Sequence, residues 1–109
     1  MIFNIVTSAQ AEEDLRGIFE YIAFELLSPE NAEKQLKRLE KQILSLDEMP
    51  ERFPKYGKEP WHSRGLRFVV VDNYIVFYLP DIKEQVVTIL RVMYSKRNIE
   101  EQLSVYTKQ

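Results

Sequence analysis

Cysteine is absent from this 109-residue chain. That excludes disulfide staples, a thiolate nucleophile and cysteine-ligated zinc, and nothing calls for an oxidising compartment. Glycine occurs three times, and no glycine-rich phosphate loop is formed. The single histidine, His62, belongs to no His/Asp/Glu set with metal-ligand spacing, and no nucleophile elbow is present. No apolar run approaches the ~18 residues needed to span a bilayer. The start, MIFNIVTSAQAEED, lacks the basic segment and apolar stretch of a signal peptide. The expectation is a cytoplasmic protein without metal, cofactor or membrane partner.

Hydrophobic residues make up 45% of the chain and charged residues 29%, a globular rather than a disordered balance. The length suits one domain spanning 1–109, which can bury roughly two-thirds of its unfolded surface. The net charge of −2 argues against nucleic-acid binding by the whole surface. Yet residues 1–49 hold five bases against ten acids, net −5, while residues 50–109 hold ten bases against seven acids, net +3. The chain can therefore present one acidic and one mildly basic face.

Residues 2–7, IFNIVT, are β-branched and aromatic and predict a first strand. Thr7 with Gln10 forms a capping-box pattern, and Ser8 is an equally good N-cap. From there Ala11, Leu15, Ile18, Ile22 and Leu26 recur at helical spacing, predicting a helix over 9–26. Phe19, Tyr21 and Phe24 widen its apolar face, so burial on more than one side is expected. Ser28-Pro29 ends it and begins a second helix, 29–48, marked by Ala32, Leu36, Leu39, Ile43 and Leu46. A long loop rich in proline and glycine follows, carrying Trp61 and His62. Three strands are then expected over 66–71, 74–79 and 86–93, and Asn98 with Glu101 caps a short terminal helix. The resulting fold class is α+β, in the order β-α-α-β-β-β, with a helical hairpin on an antiparallel sheet. Tyr74, Val76 and Tyr78 alternate with Ile75, Phe77 and Leu79, so neither sheet face is polar. Helices can cover one face; the other needs the terminal segment or a partner.

The pieces Ala11-x-x-Asp14-Leu15-x-x-Ile18-x-x-Tyr21-Ile22, Leu46-x-x-Met49-Pro50, Gly65-Leu66-Arg67, Asn73–Tyr78, Ile89-Leu90-Arg91-Val92 and Lys96-Arg97, in this order, resemble the RelE/ParE superfamily. These are toxins of type II toxin–antitoxin modules, of the plasmid-stabilisation type. The resemblance covers nearly the whole chain. It implies a cognate antitoxin as partner and one of two activities: poisoning of DNA gyrase, as in ParE-like members, or cleavage of mRNA on the ribosome, as in RelE-like members. The RelE-like ribonucleases tend to carry arginine where this chain has Ile75, and many relatives carry histidine where it has Tyr94. The resemblance is thus nearer the ParE-like branch, with the ribonuclease and an inactive interaction domain as the alternatives.

Metal-free RNA cleavage needs a base, an acid and cations on the phosphate. Arg67, Arg91, Tyr94 and Arg97 are the weak catalytic candidates, with His62 and Tyr106 as further proton handlers. His62 is equally a solvated loop residue, and Arg91, inside an apolar strand, is equally a structural arginine paired with a helix acid. For target binding the candidates are Arg91, Tyr94, Lys96 and Arg97. For the antitoxin they are Ile75 and Phe77, on the sheet face that the helices cannot cover.

Overall fold

The computed structural model describes residues 2–108. The elements are β1 (Asn4–Thr7), α1 (Ala9–Glu20), α2 (Pro29–Leu44), α3 (Trp61–Arg64), β2 (Arg67–Val71), β3 (Tyr74–Asp81), β4 (Val86–Tyr94) and α4 (Ile99–Val105). The architecture is α+β, with the helical hairpin lying on the sheet.

Ser8 supplies the N-cap of α1, its hydroxyl accepting the Ala11 amide at 3.0 Å. Gln10 is thereby free of capping duty. It binds the far end of the chain instead, accepting the Lys108 amide at 2.7 Å and donating to the Tyr106 carbonyl. After Glu20 the helix widens into a π-helical turn, Tyr21–Glu25, closed by Leu26 N donating to the Tyr21 carbonyl. Leu27, at φ 53°, and Ser28 then reverse the chain into α2, with Pro29 in its first turn.

The sheet order is β1-β4-β3-β2. The three later strands pair antiparallel, as the hairpin signals predict, while β1 joins β4 in parallel. A two-residue turn can join antiparallel neighbours, whereas the parallel pair requires the whole intervening chain as a crossover. The proline-rich segment is stitched along the β2 edge. Phe68 N donates to Pro54 O at 3.1 Å and Tyr56 N to Leu66 O at 2.8 Å. That edge is covered rather than open.

Two cores result, one per sheet face. Under α1 and α2, Leu39, Ile43, Leu46, Val76, Tyr78 and Ile89 are buried, with Leu15 and Ile18 packed against them. On the opposite face Phe77, Leu90 and Met93 are covered by Trp61, Leu66 and Leu103. The terminal segment thus covers the second face, together with the α3 region. One expectation fails. Tyr21 and Phe24 do not widen a buried face of the first helix; they are 55% and 67% exposed. The π-helical winding changes the angular spacing of side chains there, so a straight 3.6-residue period misplaces them.

Candidate functional site

The basic end of the molecule is the turn after β4. Ser95 N bonds Asn73 O at 2.8 Å and Arg97 N bonds Tyr94 O at 3.1 Å, which fixes the turn against the β2–β3 hairpin. Lys96 and Arg97 are exposed, and their side chains form no ion pair or hydrogen bond with another described residue. Tyr94 stands beside them, 40% exposed, its ring edge-on to Tyr74 at 5.9 Å between centroids. Burial, with Tyr94 and then Tyr21 nearby, raises the Tyr74 hydroxyl pKa above its ordinary value. These three tyrosines line a cleft of ≈ 710 Å³ between α1 and this end of the sheet, with Glu13, Gly17 and Leu26 on the α1 side and Arg97 on the other.

Arg91 is placed differently from these neighbours. Its side chain is 5% exposed and grips Asp14 of α1 in a two-point pair, Nε to Oδ2 at 2.7 Å and Nη2 to Oδ1 at 3.0 Å. Nη1 donates to Thr107 Oγ1 at 3.0 Å, tying down the end of the chain. Asp14 also accepts the Val92 amide at 2.9 Å. The reason lies in the sheet. β1 pairs with β4 only as far as Thr7 opposite Ile89, and the register shift beside Phe77 leaves Leu90 without an opposite residue on β3, its carbonyl accepting the Ser8 hydroxyl instead. The Val92 amide therefore lies beyond the reach of β1, and the Asp14 carboxylate takes it.

Arg67 is likewise engaged within the fold. Its Nη1 donates to the carbonyls of Phe53 at 2.6 Å and Glu51 at 3.1 Å, and its Nη2 lies 3.6 Å from the Glu51 carboxylate. His62 is exposed on α3, which packs through Trp61 on the second core. Phe77 is 1% exposed and Ile75 partly buried, both in the second core beside Leu103 of α4. Of the sequence candidates, then, the structure brings Tyr94, Lys96 and Arg97 to one exposed end. Arg91 and Arg67 lie inside the fold, and His62 is on a separate element. The reading of Arg91 as a structural arginine paired with a helix acid holds, although the sequence did not name Asp14 as that acid or Gly17 as part of a cleft lining. Asp14 had a signal, its place in the Ala11–Ile22 pattern. Among the described residues no group of three or more His, Cys, Asp or Glu could hold a metal ion. No helix of the described residues is long and apolar enough to cross a membrane.

Among the solved structures, the chain is similar to the chromosomal ParDE toxin–antitoxin system of P. aeruginosa. The TM-score is 0.72 and the identity 18%, over 87% of this chain and 98% of that one. It is also similar to the RelBE2 toxin–antitoxin complex of Mycobacterium tuberculosis (0.64, 19%, covering 86% and 92%) and to a mutant of the E. coli toxin RelE in the free state (0.66, 14%, 97% of each). At these identities the likeness is one of fold. No curated protein matches the sequence significantly. The family model for the ParE toxin of the type II toxin–antitoxin system parDE matches residues 5–99. That span takes in the helical hairpin, the sheet and the basic turn, and the chain accordingly belongs to the ParE toxin family, within the RelE/ParE superfamily of type II toxin–antitoxin toxins.

Proposed function

We propose that this toxin acts in the cytoplasm by binding and inhibiting DNA gyrase, and that a cognate antitoxin neutralises it. The observation that carries the reading is the fate of the arginines. Cleaving a phosphodiester without metal needs cations gathered on the phosphate beside a base and an acid. Here Arg91 is spent on Asp14 and Arg67 on loop carbonyls, and His62 stands on a separate exposed helix. Tyr94, Lys96 and Arg97 remain as an exposed basic and aromatic end, suited to binding another protein. The match to the ParE family model supports the same choice. Arg91 serves this end indirectly, by fixing β4 against α1. Antitoxin contact with Ile75 and Phe77 requires α4 to lift, because Leu103 packs in the same core.

The test is a gyrase supercoiling assay with the purified toxin, beside toeprinting of translating ribosomes. Supercoiling should be inhibited, and Lys96→Ala with Arg97→Ala should weaken inhibition on the order of tenfold or more while leaving the melting temperature in place. Codon-specific mRNA cuts with gyrase untouched would sink the proposal.

A further inference from the structure

We propose that the tyrosine-lined cleft between α1 and the β3–β4 end receives an apolar side chain carried on a helical segment of the target, with an acidic residue of that segment set against Arg97. This deepens the gyrase reading and rests on it.

The argument starts at Gly17. It lies in the interior of α1, where glycine weakens a helix relative to nearly any other residue. A fold tolerates such a glycine for a left-handed backbone or for a neighbour that approaches too closely for a Cβ. Neither applies: Gly17 is helical, and a Cβ built there meets nothing within 4 Å. The packing of this chain therefore does not call for it. What the missing side chain leaves is room in the floor of a ≈ 710 Å³ cleft.

The walls indicate what the room suits. Tyr21, Leu26 and Tyr94 expose 55%, 56% and 40% of their surface around this one concavity. Large apolar and aromatic groups gathered this way mark an interaction surface. Asp14 lines the cleft too, but its charge is taken up by Arg91. That leaves Arg97 on one wall and Glu13 on the other, neither in an ion pair with a described residue. Opposite charges flanking an apolar floor match an amphipathic helix with a central apolar anchor, an acid facing Arg97 and a base facing Glu13. A nucleic-acid strand fits less well, because α1 sets Glu20, two helical turns after Glu13, on the same face as Glu13. Lys96, next to Arg97, extends the contact along the basic turn.

The experiment uses the full chain with purified gyrase subunits, reading both affinity and inhibition of supercoiling. Gly17→Leu fills the floor with a good helix former, and Arg97→Glu reverses the wall charge. Each should raise Kd on the order of tenfold or more. Gly17→Ala, adding only a methyl group, should cost less, and neither Gly17 variant should melt below the wild type. Should Gly17→Leu not fold, Tyr21→Ala, which strips an exposed wall of the cleft without touching the basic turn, decides the outcome. Wild-type affinity in the folded Gly17→Leu or Tyr21→Ala chain overturns the cleft while leaving the gyrase reading intact, whereas wild-type affinity in Arg97→Glu overturns the cleft and the basic end together. A wild-type toxin that binds neither subunit removes the gyrase reading, and the inference with it. If light scattering shows a dimer that Gly17→Leu dissolves with gyrase affinity unchanged, a second copy fills the cleft and the proposal is overturned.

Discussion

Replacing Arg91 by alanine separates a structural arginine from a ligand-binding one. The substitution removes two bonds to Asp14, at 2.7 and 3.0 Å, one to Thr107 Oγ1 at 3.0 Å and a longer one to the Tyr106 carbonyl at 3.4 Å. It leaves the Asp14 carboxylate, 12% exposed, with the Val92 amide of β4 as its remaining donor among the described residues. Breaking one side of a buried pair costs ~3–5 kcal/mol, mostly the penalty of the charge left behind. For a domain of this size, an unfolding entropy near 2.1 cal/mol/K per residue converts that into a fall in Tm of roughly 13–22 °C. Arg91→Lys keeps the charge but loses the two-point grip, so it should fall between alanine and wild type. Asp14→Ala should destabilise by a similar amount. The double variant with Arg91→Met should be less destabilised than the sum of the singles, since no buried charge is orphaned. Urea titration gives the free energies, provided m is unchanged. The reasoning fails if Arg91→Ala melts like the wild type yet loses toxicity. Arg91 would then be the target ligand suggested by its place among the basic residues of the second half.

Leu39, fully buried in the helix-side core, should cost ~2–5 kcal/mol when cut to alanine, and an unchanged urea midpoint would contradict its placement. Tyr78 donates to the Pro50 carbonyl at 2.6 Å inside the fold, so Tyr78→Phe should lose ~1–3 kcal/mol by orphaning that carbonyl. Burial pushes the Tyr78 hydroxyl up to about 12, so its contribution is full below the unfolded tyrosine value near 10 and is lost as pH rises toward the folded one. Spectrophotometric titration should show that the latest-ionising tyrosine disappears in Tyr78→Phe. Asp72, in the β2–β3 turn, accepts from Arg38 at 2.7 Å and Gln35 at 3.0 Å, and these bonds hold its pKa below the ordinary aspartate value. A depressed folded pKa stabilises above the unfolded value and ceases to as pH falls through the folded one. Asp72→Asn should therefore be less stable at neutral pH, by no more than ~1 kcal/mol for so exposed a pair, and match the wild type in acid. A gap that persists in acid would point to the left-handed turn geometry instead, since Asp72 has φ 54°.

The sequence by itself determined the hairpin helices, the strands, the terminal helix and their order, but not α3, which lies in the stretch read as a loop. Apolar spacing located α1 and α2, Ser28-Pro29 placed the hairpin turn, and Asn98 began α4 with its side chain on the Glu101 amide. The two-sided apolar pattern of β3 showed that both sheet faces are covered, because alternation is a property of the strand itself. These signals are local, carried within a turn of helix or a pair of strand residues. The tertiary structure decided what covers each face, and it put Phe77 beneath Leu103 of α4. It also decided that β1 runs parallel beside β4, and that Asp14, 77 positions away in sequence, claims Arg91 from the basic end. No periodicity reports such pairings, since in one sequence an arginine that binds a partner and one that braces a helix look alike. Which of them folding buries depends on where β1 stops and how α1 crosses the stretch of β4 beyond it. Those distances exist only once the chain has closed on itself.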